Sequence, residues 1–203
     1  IRPDENYARE IMQLFSIGLV RLNPDGSLLD GDAGTPGIQP VPTYDQNTIR
    51  GFAHVFTGWK FSTCIPPNTS SANPDNGLNW WDWEYCGSQS QSVAGEQDWR
   101  QHLGWRTPMQ PWGEGNTVRG EVYYAHEGSK QLLDYPGVSL PGGVLPSSSG
   151  RPAGSRARYD LELALDNVFN HPNVGPFLSR QLIQRLVSSN PSPQYVGRVA
   201  AVF

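Results

Sequence analysis

The chain has 203 residues, 37% of them hydrophobic, and a formal net charge of −4. That length supports one domain with a real core, and an acidic balance without any run of Lys or Arg excludes the electrostatic footprint of a nucleic-acid-binding surface. No stretch approaches the roughly 18 apolar residues of a membrane span, and Gly 22 with Pro 18 commits about a fifth of the sequence to loops and breaks.

In chain order, Asp4 is placed to cap a first helix on which Tyr7, Ile11, Leu14 and Phe15 share one stripe. Gly18 ends that helix in a left-handed cap, and Asn23-Pro24-Asp25-Gly26 is a turn. Residues 28–42 read as loop. Thr43 and Gln46 match a capping box for a second helix bearing Ile49, Phe52, Ala53 and Phe56. Residues 60–157 show no sustained period beyond a weak strand at Val122-Tyr123-Tyr124, yet hold six of the seven Trp. Asp160 caps a third helix with Leu161, Leu165, Val168 and Phe169. His171-Pro172 separates it from a fourth with Val174, Phe177, Leu178, Leu182 and Leu186. Ser192 and Pro193 then open a fifth.

The fold class is therefore mainly α, with about five helices around one core and a long, irregular, Trp-rich loop insertion. Residues 1–59 and 158–203 form the helical parts, residues 60–157 the insertion, and the four apolar stripes are expected to meet in one core. A chain that opens on Ile1 and runs into a helical pattern at Phe203 reads as a single-domain segment of a larger protein.

Three groups of residues could carry chemistry. On the first helix Glu5 and Arg9 stand four apart, as do Asn6 and Glu10. The pattern suits a surface ion pair, a buried network, or carboxylates turned toward a cleft for acid–base work. His126-Glu127 with Lys130 is the best local candidate for a titrating group, a loop on a helical scaffold being where such groups usually sit. Trp80, Trp81 and Trp83, beside Asp82 and Glu84, suit either a sugar face or a mini-core for the long loop. Cys64 and Cys86, the only two cysteines, bracket this segment and are expected to form a disulfide, which implies an oxidising compartment. His54 and His171 read as structural, His171 complementing the C-terminal dipole of the preceding helix. The four His show no metal-site spacing, and no cofactor fingerprint occurs.

The string Glu5-Asn6-Tyr7-Ala8-Arg9-Glu10-Ile11-Met12-Gln13-Leu14, with Phe56-Thr57-Gly58-Trp59, resembles the paired signature of the domain of unknown function 1800 family. Thr107-Pro108-Met109, His126 with Lys130, His171-Pro172-Asn173-Val174 and Ser189-Asn190-Pro191-Ser192-Pro193 resemble its later motifs in the same order. Glu127 stands where members commonly have Asp, which moves the carboxylate out by one methylene. The resemblance implies a largely helical, exported bacterial protein, longer than this segment and often encoded beside a phosphatase-like partner; it names no reaction. Two functions are expected to compete: a non-catalytic envelope or glycan-binding domain in the periplasm or outside the cell, slightly preferred, and an extracytoplasmic hydrolase or lyase of polysaccharide-like material. The second would use Glu5, Glu10 and His126 as catalytic groups, supported by Arg9, Glu127 and Lys130.

Overall fold

The computed structural model describes residues 3–60, 109–111, 128–151 and 155–203. The chain divides into two compact units, residues 1–57, 126–151 and 156–203 forming the first and residues 58–125 and 152–155 the second. The first unit is built from five helices: α1 (Glu5–Gln13), α2 (Gln46–Phe56), α3 (Arg156–Phe169), α4 (Val174–Leu186) and α5 (Pro193–Ala200). Of the second unit, the described part is an antiparallel pair, β1 (Trp59–Lys60) and β2 (Gln110–Pro111), with Trp59 opposite Pro111. The protein is mainly α. Val122-Tyr123-Tyr124, the clustered Trp residues and both cysteines lie outside the described residues.

Helix starts follow from short polar side chains. The Asp4 carboxylate accepts the Asn6 N–H at the head of α1, and Ser192 accepts the Tyr195 N–H at the head of α5 beside Pro193. At α2 the cap is Asp45, which takes the Thr48 N–H, in place of the expected Thr43–Gln46 box. Thr43 instead donates its hydroxyl to the Gly18 carbonyl, tying the start of α2 to the end of α1. Helix α1 ends at Leu14 rather than at the expected Gly18 cap; Gly18 lies four residues on with φ +74°, and a Cβ there would meet the Phe177 ring at 2.7 Å, so that position favours glycine twice over. The Asn23–Gly26 turn forms, closed by the Gly26 N–H on the Asn23 carbonyl at 2.9 Å.

Part of the expected insertion belongs to the helical core. Residues 128–151 carry β3 (Lys130–Gln131), paired antiparallel with β4 (Val144–Leu145), and bury Leu132, Leu133, Tyr135, Leu140 and Leu145. Two-residue strands are too short to print a period on the sequence. This ribbon lies against α2 so closely that a Cβ on Gly51 would fall 1.8 Å from the Gln131 carbonyl oxygen.

The core gathers Ala8, Met12, Ile17, Ile49, Phe52, Ala53, Val55, Ala164, Val168 and Val174 around that ribbon. Three expected stripes are rotated in part, with Leu161 and Val168 of α3 and Val174 and Leu178 of α4 still packed on the core. On α1 the buried positions are Ala8 and Met12, while Leu14 and Phe15 face solvent. On α3 they are Ala157, Asp160, Ala164, Asn167 and Val168, with Leu165 and Phe169 outward. On α4 they are Val174, Pro176, Ser179 and Ile183, with Leu182 and Leu186 outward. Small or polar residues let these helices approach closely, and hydrophobicity alone does not report that. Asp160 is consequently not a cap but a buried residue in the second turn of α3.

The Gly51 contact yields a direct test. Gly51→Ala should cost about 3 kcal/mol through overpacking against backbone that cannot yield. Gly197→Ala on α5, whose Cβ would meet Asp25 at an ordinary 3.5 Å, should be neutral or stabilise by up to about 1 kcal/mol. Urea unfolding of both variants checks this; equal stabilities would contradict the close approach.

Candidate functional site

The densest polar chemistry among the described residues is buried. β3 carries Lys130 inward to Asp160 of α3, with Nζ 2.6 Å from Oδ2 and side chains only 1% and 0% exposed. The same Nζ donates to the Gly128 carbonyl at 3.0 Å, and the Ser148 hydroxyl, fully buried, approaches Asp160 Oδ2 at 3.5 Å. His54 of α2 belongs to this neighbourhood: burial first, then the Lys130 cation, holds its ring below the usual imidazole value. Four separate segments thus supply an ammonium, a carboxylate, a hydroxyl and an imidazole. Fixed charge of this kind can orient a proton or anchor a fold, and a pair removed from water persists only when each charge is matched.

Glu5 and Arg9 lie elsewhere, in a half-exposed network joining α1 to α2. Glu5 Oε2 accepts Gln46 Nε2 at 2.7 Å, Arg9 donates to Gln46 Oε1 at 2.8 Å, and Arg9 and Arg50 approach the Glu5 carboxylate at 3.5 and 3.7 Å. Glu10 is exposed on the same helix. His126, Glu127, Trp80, Trp81, Trp83, Cys64 and Cys86 lie outside the described residues. Lys130 therefore meets a carboxylate of α3, a partner the sequence did not suggest because Asp160 reads there as a helix cap. Ser148, within a serine run, gives no sequence signal at all.

A second polar knot surrounds His171, whose ring is 3% exposed. Its Nδ1 accepts the Asn173 N–H at 3.1 Å, Tyr135 stacks edge-on at 4.9 Å, and Nε2 has no hydrogen-bond partner among the described residues. Desolvation, then the nearby Arg21 cation, lowers its pKa to about 4, so the ring is neutral at pH 7. It does not act as the expected cation at a helix C-terminus. Beside it Asn173 donates Nδ2 to the Ile17 and Val20 carbonyls at 2.8 and 2.7 Å and accepts the Leu22 N–H at 2.9 Å. Asn167 clamps the Leu133 peptide from both sides at 3.0 Å, and Tyr135 donates to the Asn167 carbonyl at 2.9 Å.

The motif-bearing positions thus fall at the joints of the first unit: Glu5 and Arg9 between α1 and α2, Lys130 between β3 and α3, Asn173 between α4 and the loop after α1. A family model described as a protein of unknown function, DUF1800, matches residues 1–203, the whole chain. The chain belongs to the DUF1800 family. No curated protein and no solved structure matches it. In this DUF1800 chain no three His, Cys, Asp or Glu side chains gather as a metal could require among the described residues, and no helix there is long and apolar enough to cross a membrane.

Two outcomes are expected. Asp160→Asn should cost about 3–5 kcal/mol by removing the carboxylate charge held 2.6 Å from the buried Lys130 ammonium, and adding Lys130→Met should recover a large part of that; urea unfolding in which the double variant is worse than the single would count against the pair. For His171 the unfolded ring binds a proton below about pH 6.5, whereas the native ring refuses it until about pH 4. Stability must then fall as pH is lowered through that window. The loss from pH 7 to pH 5 should be about 2 kcal/mol, and it should be absent from the pH dependence of His171→Gln.

Proposed function

We propose that this DUF1800 chain is a non-catalytic interaction domain. The observation that carries the reading is a set of large apolar side chains left exposed on the helices. Two ionisable clusters of the helical unit are spent on its own joints, Lys130 on Asp160 and Glu5 on Arg9, Arg50 and Gln46. Several large apolar groups stand in water: Phe15 is 66% exposed, Leu182 54% and Leu186 77%. Apolar side chains that the core does not use, borne on helices that bury small residues, mark a surface meant for contact. An acid–base enzyme would present the reverse, with charged groups at a cleft and apolar ones packed beneath it.

The proposal extends to place and ligand. The reading places the chain outside the cytoplasm, and the cluster Trp80, Trp81 and Trp83 supports a glycan or envelope partner for the second unit. The hydrolase or lyase alternative would need Glu5 and Glu10 free to act, and Glu5 is already held by three side chains.

Photo-reactive residues placed at Leu182 and Leu186, and separately at Glu10, in the protein produced by its native host, test this. Discrete adducts are expected from the two leucine positions and not from Glu10. Adducts from Glu10 alone, or from none of the three, would remove the reading.

A further inference from the structure

Two buried hydrogen-bond donors meet no acceptor, and both lie in the joint where the loop after α1, the ribbon and the head of α4 come together. They are Arg21 Nε and His171 Nε2, each withdrawn from solvent and without a hydrogen-bond partner among the described residues. A closed circuit of contacts holds them in that joint. Asn173 accepts the Leu22 N–H at 2.9 Å and donates to the Val20 carbonyl at 2.7 Å, gripping the backbone on both sides of Arg21. The Asn173 N–H in turn donates to His171 Nδ1 at 3.1 Å, and the His171 ring meets the Tyr135 ring at 4.9 Å. Arg21 closes the circuit, its Nη2 donating at 2.9 Å to the carbonyl of Asp134, the residue before Tyr135. Across it the Arg21 cation acts on the His171 ring.

The chemistry of the two atoms decides what can satisfy them. Because His171 Nδ1 accepts a backbone N–H it carries no proton, so the neutral ring holds its proton on Nε2, which is therefore a donor. Arginine donates from every nitrogen. A metal ion would find no lone pair on either atom, and an acceptor is required. An anion would match the Arg21 charge, but two exposed carboxylates, Asp134 and Asp166, stand at the rim of the joint. Burial, then the Asp166 carboxylate, raises the Tyr135 phenol above its ordinary value, so negative charge is already felt there. A further negative charge is opposed. Water brings two lone pairs and no charge, and leaving two buried donors unpaired costs more than immobilising one molecule. We propose that this joint binds a structural water that accepts from both Arg21 Nε–H and His171 Nε2–H, fastening residues 20–22 to the start of α4 where the Asn173 clamp leaves these two side chains unsatisfied.

Nuclear magnetic resonance of the full chain, labelled with nitrogen-15 and held at neutral pH, tests this. The His171 ring nitrogens should report a proton on Nε2 alone. The His171 Hε2 and Arg21 Hε protons should both be resolved, and both should show rotating-frame cross-peaks at the water frequency with the sign of dipolar contact, opposite to that of chemical exchange. In Arg21→Met, which removes one of the two bonds that anchor the water, the His171 Hε2 proton should exchange with solvent about tenfold faster. Cross-peaks to water from only one of the two protons, or from neither, would overturn the bridging water, as would a ring proton on Nδ1. Shifts of both protons that saturate as chloride is added, with a bromide peak between the two nitrogens in anomalous diffraction, would overturn it in favour of an anion. Should Arg21→Met fail to fold, the cross-peaks and the ring tautomer of the unaltered chain decide the matter by themselves.

Discussion

Irregular backbone can be buried only where each of its N–H and C=O groups finds a partner, because an unpaired one costs about as much as a lost hydrogen bond. A chain so rich in glycine and proline meets that constraint at every joint of its helical unit. The answer here is asparagine, whose side chain carries the same donor and acceptor as a peptide group. Asn167 completes the Leu133 peptide and Asn173 satisfies Ile17, Val20 and Leu22, so the ribbon and the loop after α1 dock on helices as if on neighbouring strands. Each asparagine spans a long stretch of sequence, 34 residues for Asn167 and over 150 for Asn173. The order of the unit follows from these clamps more than from any apolar stripe.

The Lys130–Asp160 pair obeys the same logic with charge. Taking an ammonium and a carboxylate out of water is costly, and their attraction offsets the cost only when the remaining hydrogen-bonding capacity is met, as Gly128 and Ser148 help to do here. Such a pair contributes little to net stability and much to register, since a slip of β3 by one residue would turn Lys130 to the other face and strand Asp160. Both charges sit on elements that α2 also touches, β3 at Gly51 and α3 elsewhere along the helix. The helix, ribbon and α3 are therefore fixed together by one steric and one electrostatic condition.

What was legible in the sequence follows from these interactions. Local signals succeeded where the physics is local: Asp4, the Asn23–Gly26 turn, and Ser192 with Pro193 all act within a few residues of themselves. Helix existence was legible for all five helices, from period and breakers. The buried face was not, because Ala8, Ala157, Ala164 and Ser179 line it, and small residues carry almost no hydrophobic signal. The 128–151 ribbon was hidden for a related reason, its strands being two residues long. Among candidate site residues, Lys130 is buried against Asp160, a partner the sequence does not name for it, while His126 and Glu127 lie outside the described residues. Asp160 lies 30 residues away, and nothing local distinguishes a cap from a counter-ion.

The rotated stripes bear on more than packing. If Leu182 and Leu186 were core residues by design, α4 would turn them inward and expose Ser179, a rotation that an isolated amphipathic helix would favour. The helix does not take it, because Asn173 at its head is clamped to three groups of the loop after α1. Rotating α4 would break those contacts and drive the Phe177 ring off Gly18. The orientation is thus set by polar and steric contacts at one end, and the leucines at the other end are carried outward as a consequence. Exposure that the fold itself enforces is a built surface, which is why the outward leucines weigh more heavily in the functional reading than isolated surface apolar residues would.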